Sequence, residues 1–271
     1  MFSSPDNSSP MERRWVDDWL SVPRFDAYMS VCGDDVATAL ALYEWNISLC
    51  QVLLKDLSHF EVALRNAYDR ALDGYWHGSA HWLFDSDSPV RRPIMRRNAG
   101  GNTVDVNRLN RKQIQIATGS LSQPATPDCV VSNLTLGFWA HMTDRSHERD
   151  LWIPVIHCVW PRGTNRKDLH RKIQSVNALR NRVAHHEHLF NPGDADLSPA
   201  RVDEMVVGLF RELCPEAAEW AYMNSGMTPV TRGLSINVHH QLRWLCNAIG
   251  NASQGRMWYR GTELGIPYAV C

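Results

Sequence analysis

The sequence lacks a C-x-x-C pair, any run of about 18 apolar residues, an excess of either charge, and sustained alternation of apolar and polar positions. Each absence excludes something. The cysteines, Cys32, Cys50, Cys129, Cys158, Cys214, Cys246 and Cys271, are odd in number and widely spaced, so neither a zinc ribbon nor a redox pair is expected. Several read as small buried apolar residues in a reducing compartment. With no long apolar run, no membrane span is expected. The opening MFSSPDNSSPMERRW has no basic start followed by an apolar core, so it does not read as a secretory signal, and the expected location is the cytoplasm. A net charge of −1 provides no global field for nucleic acid. Without period-two alternation or internal repeats, the expected class is all-α.

What is present is an ordinary globular composition, 44% hydrophobic and 21% charged over 271 residues, enough for one large domain or two small ones. The charge is not evenly spread. Arg91, Arg92, Arg96, Arg97, Arg108, Arg111 and Lys112 face one acid, Asp105, in their segment. Arg162, Arg166, Lys167, Arg171, Lys172, Arg180 and Arg182 face Asp168 alone in theirs. Two such segments on one surface would bind phosphates despite the neutral total; as solvated faces they would do nothing special.

Residues 1–12 read as a polar tail and 1–30 as a lead-in, with a single domain over 31–271. Leu40, Tyr43, Leu49 and Leu53 recur at helical spacing, as do Leu57, Phe60, Leu64 and Ala67, and no Gly or Pro separates the two patterns. The stretch 73–104 is broken by Gly74, Gly78, Pro89, Pro93, Gly100 and Gly101 and reads as irregular. Short helices are expected near 106–119 and 127–143, and another near Pro154 that ends at Pro161-Arg162-Gly163. Leu169, Ile173, Val176, Leu179 and Val183 mark a strong helix over 166–186. Further helices are expected near 198–223 and 234–250, and a short extended piece within 251–271.

The chemically richest segment is Leu179-Arg180-Asn181-Arg182-Val183-Ala184-His185-His186-Glu187-His188. On a wheel of about 100° per residue, Arg180 lies at the edge of the apolar stripe and His185 about 140° round from it, with Asn181 between them. Metal-free RNA cleavage asks for a proton-transfer group near neutral pH, which His supplies, and a fixed cation on the phosphate, which Arg supplies as a bidentate fork. Spacing alone leaves this reading open beside a plain polar helix face. Glu61 and Arg65, four apart, read as an ion pair or as the border of a cleft. His185-His186-Glu187-His188 lacks the H-E-x-x-H order and helical spacing scatters its imidazoles, so no metal site is expected. Trp139 and Trp152 read either as base-stacking platforms or as core.

Four blocks in order carry a resemblance. Tyr43-Glu44-Trp45-Asn46 is similar to a Y-x-x-N, and Leu57 with Glu61-Val62-Ala63-Leu64-Arg65-Asn66 to L-x-x-x-E-x-x-L-R-N. Val131-Ser132-Asn133-Leu134-Thr135-Leu136-Gly137-Phe138-Trp139 is similar to V-S-x-L-T-F-G-F-W, and Arg180 to His185 to R-N-x-x-x-H. Together, with Leu151-Trp152 between the last two, they resemble the Abi-like (abortive infection) family of the HEPN superfamily over roughly 40–190; Leu136 departs from the aromatic usual there. The resemblance implies an all-α HEPN-type helical bundle with additional helices, acting as a metal-independent endoribonuclease in phage defence or as a toxin of a toxin–antitoxin system. It implies Arg180 and His185 as the catalytic pair and Asn181 as their support. Glu61, Arg65, Asn66 and His186 are implied as cleft or packing residues. The expected partners are RNA and a second copy of the chain, with no cofactor and no membrane. RNA contacts are expected from Arg91, Arg92, Arg96, Arg97, Arg108, Arg111, Lys112, Arg166, Lys167, Arg171 and Lys172. The alternatives are a non-catalytic RNA-binding protein in a ribonucleoprotein with a structured noncoding RNA, and an interaction domain whose polar motif braces a dimer.

Overall fold

The computed structural model describes residues 10–33, 35–121, 124–190 and 197–222. Their architecture is all-α apart from one small hairpin. Helix α1 (Pro10–Leu20) turns at Ser21, held at φ 66°, into α2 (Val22–Met29), so part of the expected lead-in is ordered helix. Asp35 then accepts from the backbone N–H of Ala37 and Thr38 and starts α3 (Val36–Tyr75), a single helix of 40 residues. The two apolar patterns are therefore one helix, as the absence of a breaker permits. By length and hydropathy α3 would suffice to cross a membrane, but Leu42, Leu49, Leu53, Phe60, Leu64 and Leu72 form a buried stripe, as in the core helix of a globular protein.

The irregular segment that follows holds what the sequence pattern concealed. Strands β1 (Met95–Arg97) and β2 (Thr103–Asp105) pair antiparallel with Arg96 opposite Val104, closed by a turn in which Gly101 takes φ 78°. Strands of three residues are too short to show a period of two. Helix α4 (Arg108–Gly119) comes next. The helix expected over 127–143 is two: α5 (Pro127–Asn133), capped by Thr126, and α6 (Leu136–His141), with Leu134 and Thr135 extended between them. The helix expected near Pro154 is instead a π turn over Glu148–Trp152 and a 3-10 turn over Ile156–Val159, because Pro154 has no N–H to continue the ladder. Asn165 caps α7 (Arg166–Ala184) through the N–H of Asp168. The expectation of one helix over 198–223 also fails. Pro215 separates α8 (Pro199–Leu213) from α9 (Pro215–Tyr222), standing at the first position of α9, where its missing N–H costs nothing. The helix expected over 234–250 and the extended piece in 251–271 lie outside the described residues.

The chain gathers into two compact units. The first takes its described residues from 10–56 and 179–204, with Phe25, Leu42, Trp45, Leu49 and Leu53 buried. The second takes 57–178 and 205–222. Its core stacks Trp82 near Phe138 at 6.5 Å and sets Phe138 edge-on to Trp139 at 5.0 Å, while Trp160 donates to the Tyr68 hydroxyl at 3.0 Å. Trp139 and Trp152 are both buried, which assigns them to the core and removes the base-stacking reading. Cys32 and Cys50 are buried, and burial pushes each thiol up to about 11; Cys129 and Cys158 are exposed.

Candidate active site

Arg180, Asn181 and His185 stand at the C-terminal end of α7. Leu179 and Val183 are buried there, Arg180 is half-buried, and Asn181 and His185 are exposed. The helix closes on a definite device. The N–H of His185 still bonds the carbonyl of Asn181 at 2.9 Å, the N–H of His186 bonds Val183 at 3.1 Å, and the N–H of Glu187 reaches back to Arg182 at 2.9 Å. With His186 in the left-handed region at φ 54°, this is a Schellman cap in which Ala184 is the last helical position and His185 the C-cap. A left-handed histidine is uncommon, so the surroundings must hold it.

They do so through three successive carbonyls. Arg24 Nη1 on α2 donates to the carbonyl of His186 at 2.9 Å. Asn46 on α3, fully buried, donates from Nδ2 to the carbonyl of Glu187 at 3.1 Å and accepts the N–H of Leu189 at 2.7 Å. Arg182 Nη2 donates to the carbonyl of His188, and its Nε lies 3.6 Å from the Glu187 carboxylate. Behind this turn Tyr28 meets Tyr43, His188 and Phe190 at ring distances of 5.6, 6.5 and 5.2 Å. Burial, aided by the Arg182 cation, holds His188 below the usual histidine range. Of the two residues that open the family-like pattern, Asn46 thus bonds the turn after His185 directly, while Tyr43 packs on Tyr28 behind it. That role was hidden in the sequence, since Asn46 and Glu187 are 141 residues apart.

Glu61, Arg65 and Asn66 belong to the second unit, on the later part of α3. Glu61 and Arg65 are half-buried and Asn66 is exposed. Arg65 Nη1 approaches the carbonyl of Ser132 at 3.4 Å, which links α3 to the end of α5. His186 contributes its backbone to the cap and exposes its ring.

The two basic segments have separable members. Arg91 donates to the carbonyls of Leu83 and Phe84. Arg92 and Arg96 both pair with Asp150, and Arg111 pairs with Asp105 while bonding the carbonyl of Arg91. Arg166 bonds the carbonyl of Thr143 and lies 3.5 Å from Glu148, and Arg171 pairs with Asp168 on the surface. Arg97, Arg108, Lys112, Lys167 and Lys172 are exposed.

The second unit also holds a buried polar chain that no motif announced. Asn107 Nδ2 donates to the carbonyls of Pro89 and Arg92, both at 2.8 Å. This orients its amide, so Oδ1 accepts from Asn110 Nδ2 at 2.9 Å and from His147 Nε2 at 2.9 Å. Asn110 Oδ1 in turn accepts from His141 Nδ1 at 2.8 Å. His147 is fully buried. Burial, with His141 beside it, lowers its pKa to about 4, although Asp144 and the carbonyl of His141 act the other way. Its Nε2 faces Asn107 Oδ1 at 2.9 Å and its Nδ1 faces the carbonyl of His141 at 3.1 Å, so both ring nitrogens meet acceptors. Among the described residues, no group of three or more His, Cys, Asp or Glu is arranged to hold a metal ion.

Fold and site together define, among the described residues, an all-α protein with one small hairpin, carrying an R-N-x-x-x-H sequence at a capped helix end. The model of the Abi-like protein family matches residues 17–191, more than half of the chain, and the protein belongs to that family. No curated protein and no solved structure matches it.

Proposed function

We propose that the protein is a metal-independent endoribonuclease of the HEPN type that acts in abortive infection or as the toxin of a toxin–antitoxin system. The observation that carries this reading is the end of α7: an exposed His185 on a helix terminus fixed by its cap, one and a half turns from Arg180, in a chain of the Abi-like family. The ribose 2′-oxygen attacks the adjacent phosphorus and loses its proton, and the bond to the 5′-oxygen breaks as that oxygen gains one. His185 serves proton transfer, Arg180 holds the charge that grows on the phosphate oxygens, and Asn181 orients them. A second copy of the chain would set two such motifs across one cleft. The exposed cations Arg97, Arg108, Lys112, Lys167 and Lys172 are the best candidates for guiding RNA, because they are not drawn into the ion pairs that hold Arg92, Arg96 and Arg111.

The test is cleavage of RNA in the presence of a chelator. Products with 2′,3′-cyclic phosphate and 5′-hydroxyl ends, lost on His185→Ala and on Arg180→Ala, support the reading. Tight RNA binding without cleavage, unchanged by His185→Ala, would instead favour a ribonucleoprotein component that binds without turnover.

A further inference from the structure

The turn after His185 has more holding it than a helix end requires. A Schellman cap satisfies its own carbonyls through backbone N–H groups. Here the next three carbonyls, of His186, Glu187 and His188, are each taken by a side chain, from α2, α3 and α7 in turn. Asn46 uses both ends of its amide on this segment, donating to Glu187 and accepting from Leu189, with no exposure to solvent. Arg24 differs from it in being an exposed residue on a short helix that reaches the carbonyl next to the histidine. A left-handed non-glycine residue persists only where its surroundings over-determine it. The residue so fixed, His186, directly follows the one whose imidazole the chemistry needs.

We infer that Asn46 and Arg24 are positioning residues for His185: they set the backbone after it, and so the direction in which its imidazole leaves the helix end. The inference rests on the ribonuclease reading. Neither side chain touches the reacting atoms; both act through the carbonyls of 186 and 187. A small displacement of a proton-transfer group is costly to rate, while binding of RNA through other contacts is untouched.

Arg24 provides the cleaner test, because an exposed side chain is replaced without opening the core. Single-turnover cleavage at saturating RNA, RNA affinity, melting temperature and amide hydrogen exchange of Glu187 to Leu189 would be measured. The proteins are wild type, Arg24→Met, Arg24→Lys, Asn46→Asp and His185→Ala. The expected result for Arg24→Met is a fall of about tenfold in cleavage rate and faster exchange in the turn, with affinity and melting temperature unchanged. Arg24→Lys, which keeps a donor, should recover part of the rate. Asn46→Asp keeps the acceptor for Leu189 but loses the donor to Glu187, and should show the larger loss. Wild-type rates in both Arg24→Met and Asn46→Asp, with His185→Ala inactive, would overturn the inference and leave the ribonuclease reading standing. Cleavage that survives His185→Ala would remove His185 from proton transfer, and the inference with it, while absence of cleavage by the wild type would remove the ribonuclease reading itself.

Discussion

The turn after α7 and the polar chain around Asn107 use the same residue types to opposite ends. In the first, Asn46, Arg24 and Arg182 hold backbone carbonyls so that a neighbouring histidine can stand in solvent. In the second, Asn107 and Asn110 hold His147 and His141 inside the protein, and His147 has no exposure at all. An exposed histidine and a histidine used as a buried brace differ in what surrounds them, not in what they are. The comparison predicts that substitutions in the first region change rate and those in the second change stability.

The largest effect should come from His185→Ala, which is expected to lower RNA cleavage by about a hundredfold to ten-thousandfold. Its melting temperature should stay near wild type, because the ring is exposed; calorimetry beside a cleavage assay checks both halves. Asn107→Ala should do the reverse. Asn107 uses both donors and both acceptor positions on four partners, so its loss strands buried carbonyls and Nε2 of His147. A destabilisation of about 3 kcal/mol in urea unfolding is expected, with the cleavage rate per folded molecule preserved.

Acid should separate the regions as well. The pKa of His147 in the folded protein is about 4, below its ordinary value of 6.5. Above pH 6.5 both folded and unfolded chains carry it neutral, and its contribution to stability is complete. As pH falls from 6.5 towards 4 the unfolded chain takes up the proton first and stability drains away, by about 3 kcal/mol in total, then levels off. His141 and His170 are lowered in the same direction, mainly by burial, and add to the slope. Unfolding curves taken across that range should flatten in His147→Gln. At the small end, Arg92→Ala removes one of two arginines on Asp150 at the surface and should cost under about 1 kcal/mol by chemical denaturation.

The sequence made the long elements legible because their apolar residues recur over many turns. On α3, Leu49, Leu53, Leu57, Phe60, Leu64 and Ala67 are buried as the spacing predicts, whereas Leu40 and Tyr43 are half-buried and Leu42 takes the core side instead; the α7 stripe from Leu169 to Val183 is buried throughout. The chemically rich segment keeps its local arrangement for a related reason: Arg180 to Ala184 close α7 and His185 caps it. Short-range interruptions were not legible. The break at Leu134-Thr135 carries no Gly or Pro, and apolar residues recur on both sides of Pro215. The hairpin has too few residues to show its period. Long-range polar partnerships left no trace in spacing at all. Nothing near Asn46 marks it as the partner of Glu187 and Leu189, and nothing near Asn107 points to His147, 40 residues on. Such residues show their role only when the fold brings them together.

The most direct test of the account is single-turnover RNA cleavage by wild type and His185→Ala with all divalent metal chelated, followed by analysis of the new ends. The account predicts cleavage by the wild type alone, leaving 2′,3′-cyclic phosphates and 5′-hydroxyls. Cleavage that requires magnesium and leaves 5′-phosphates, or that persists in His185→Ala, would contradict it.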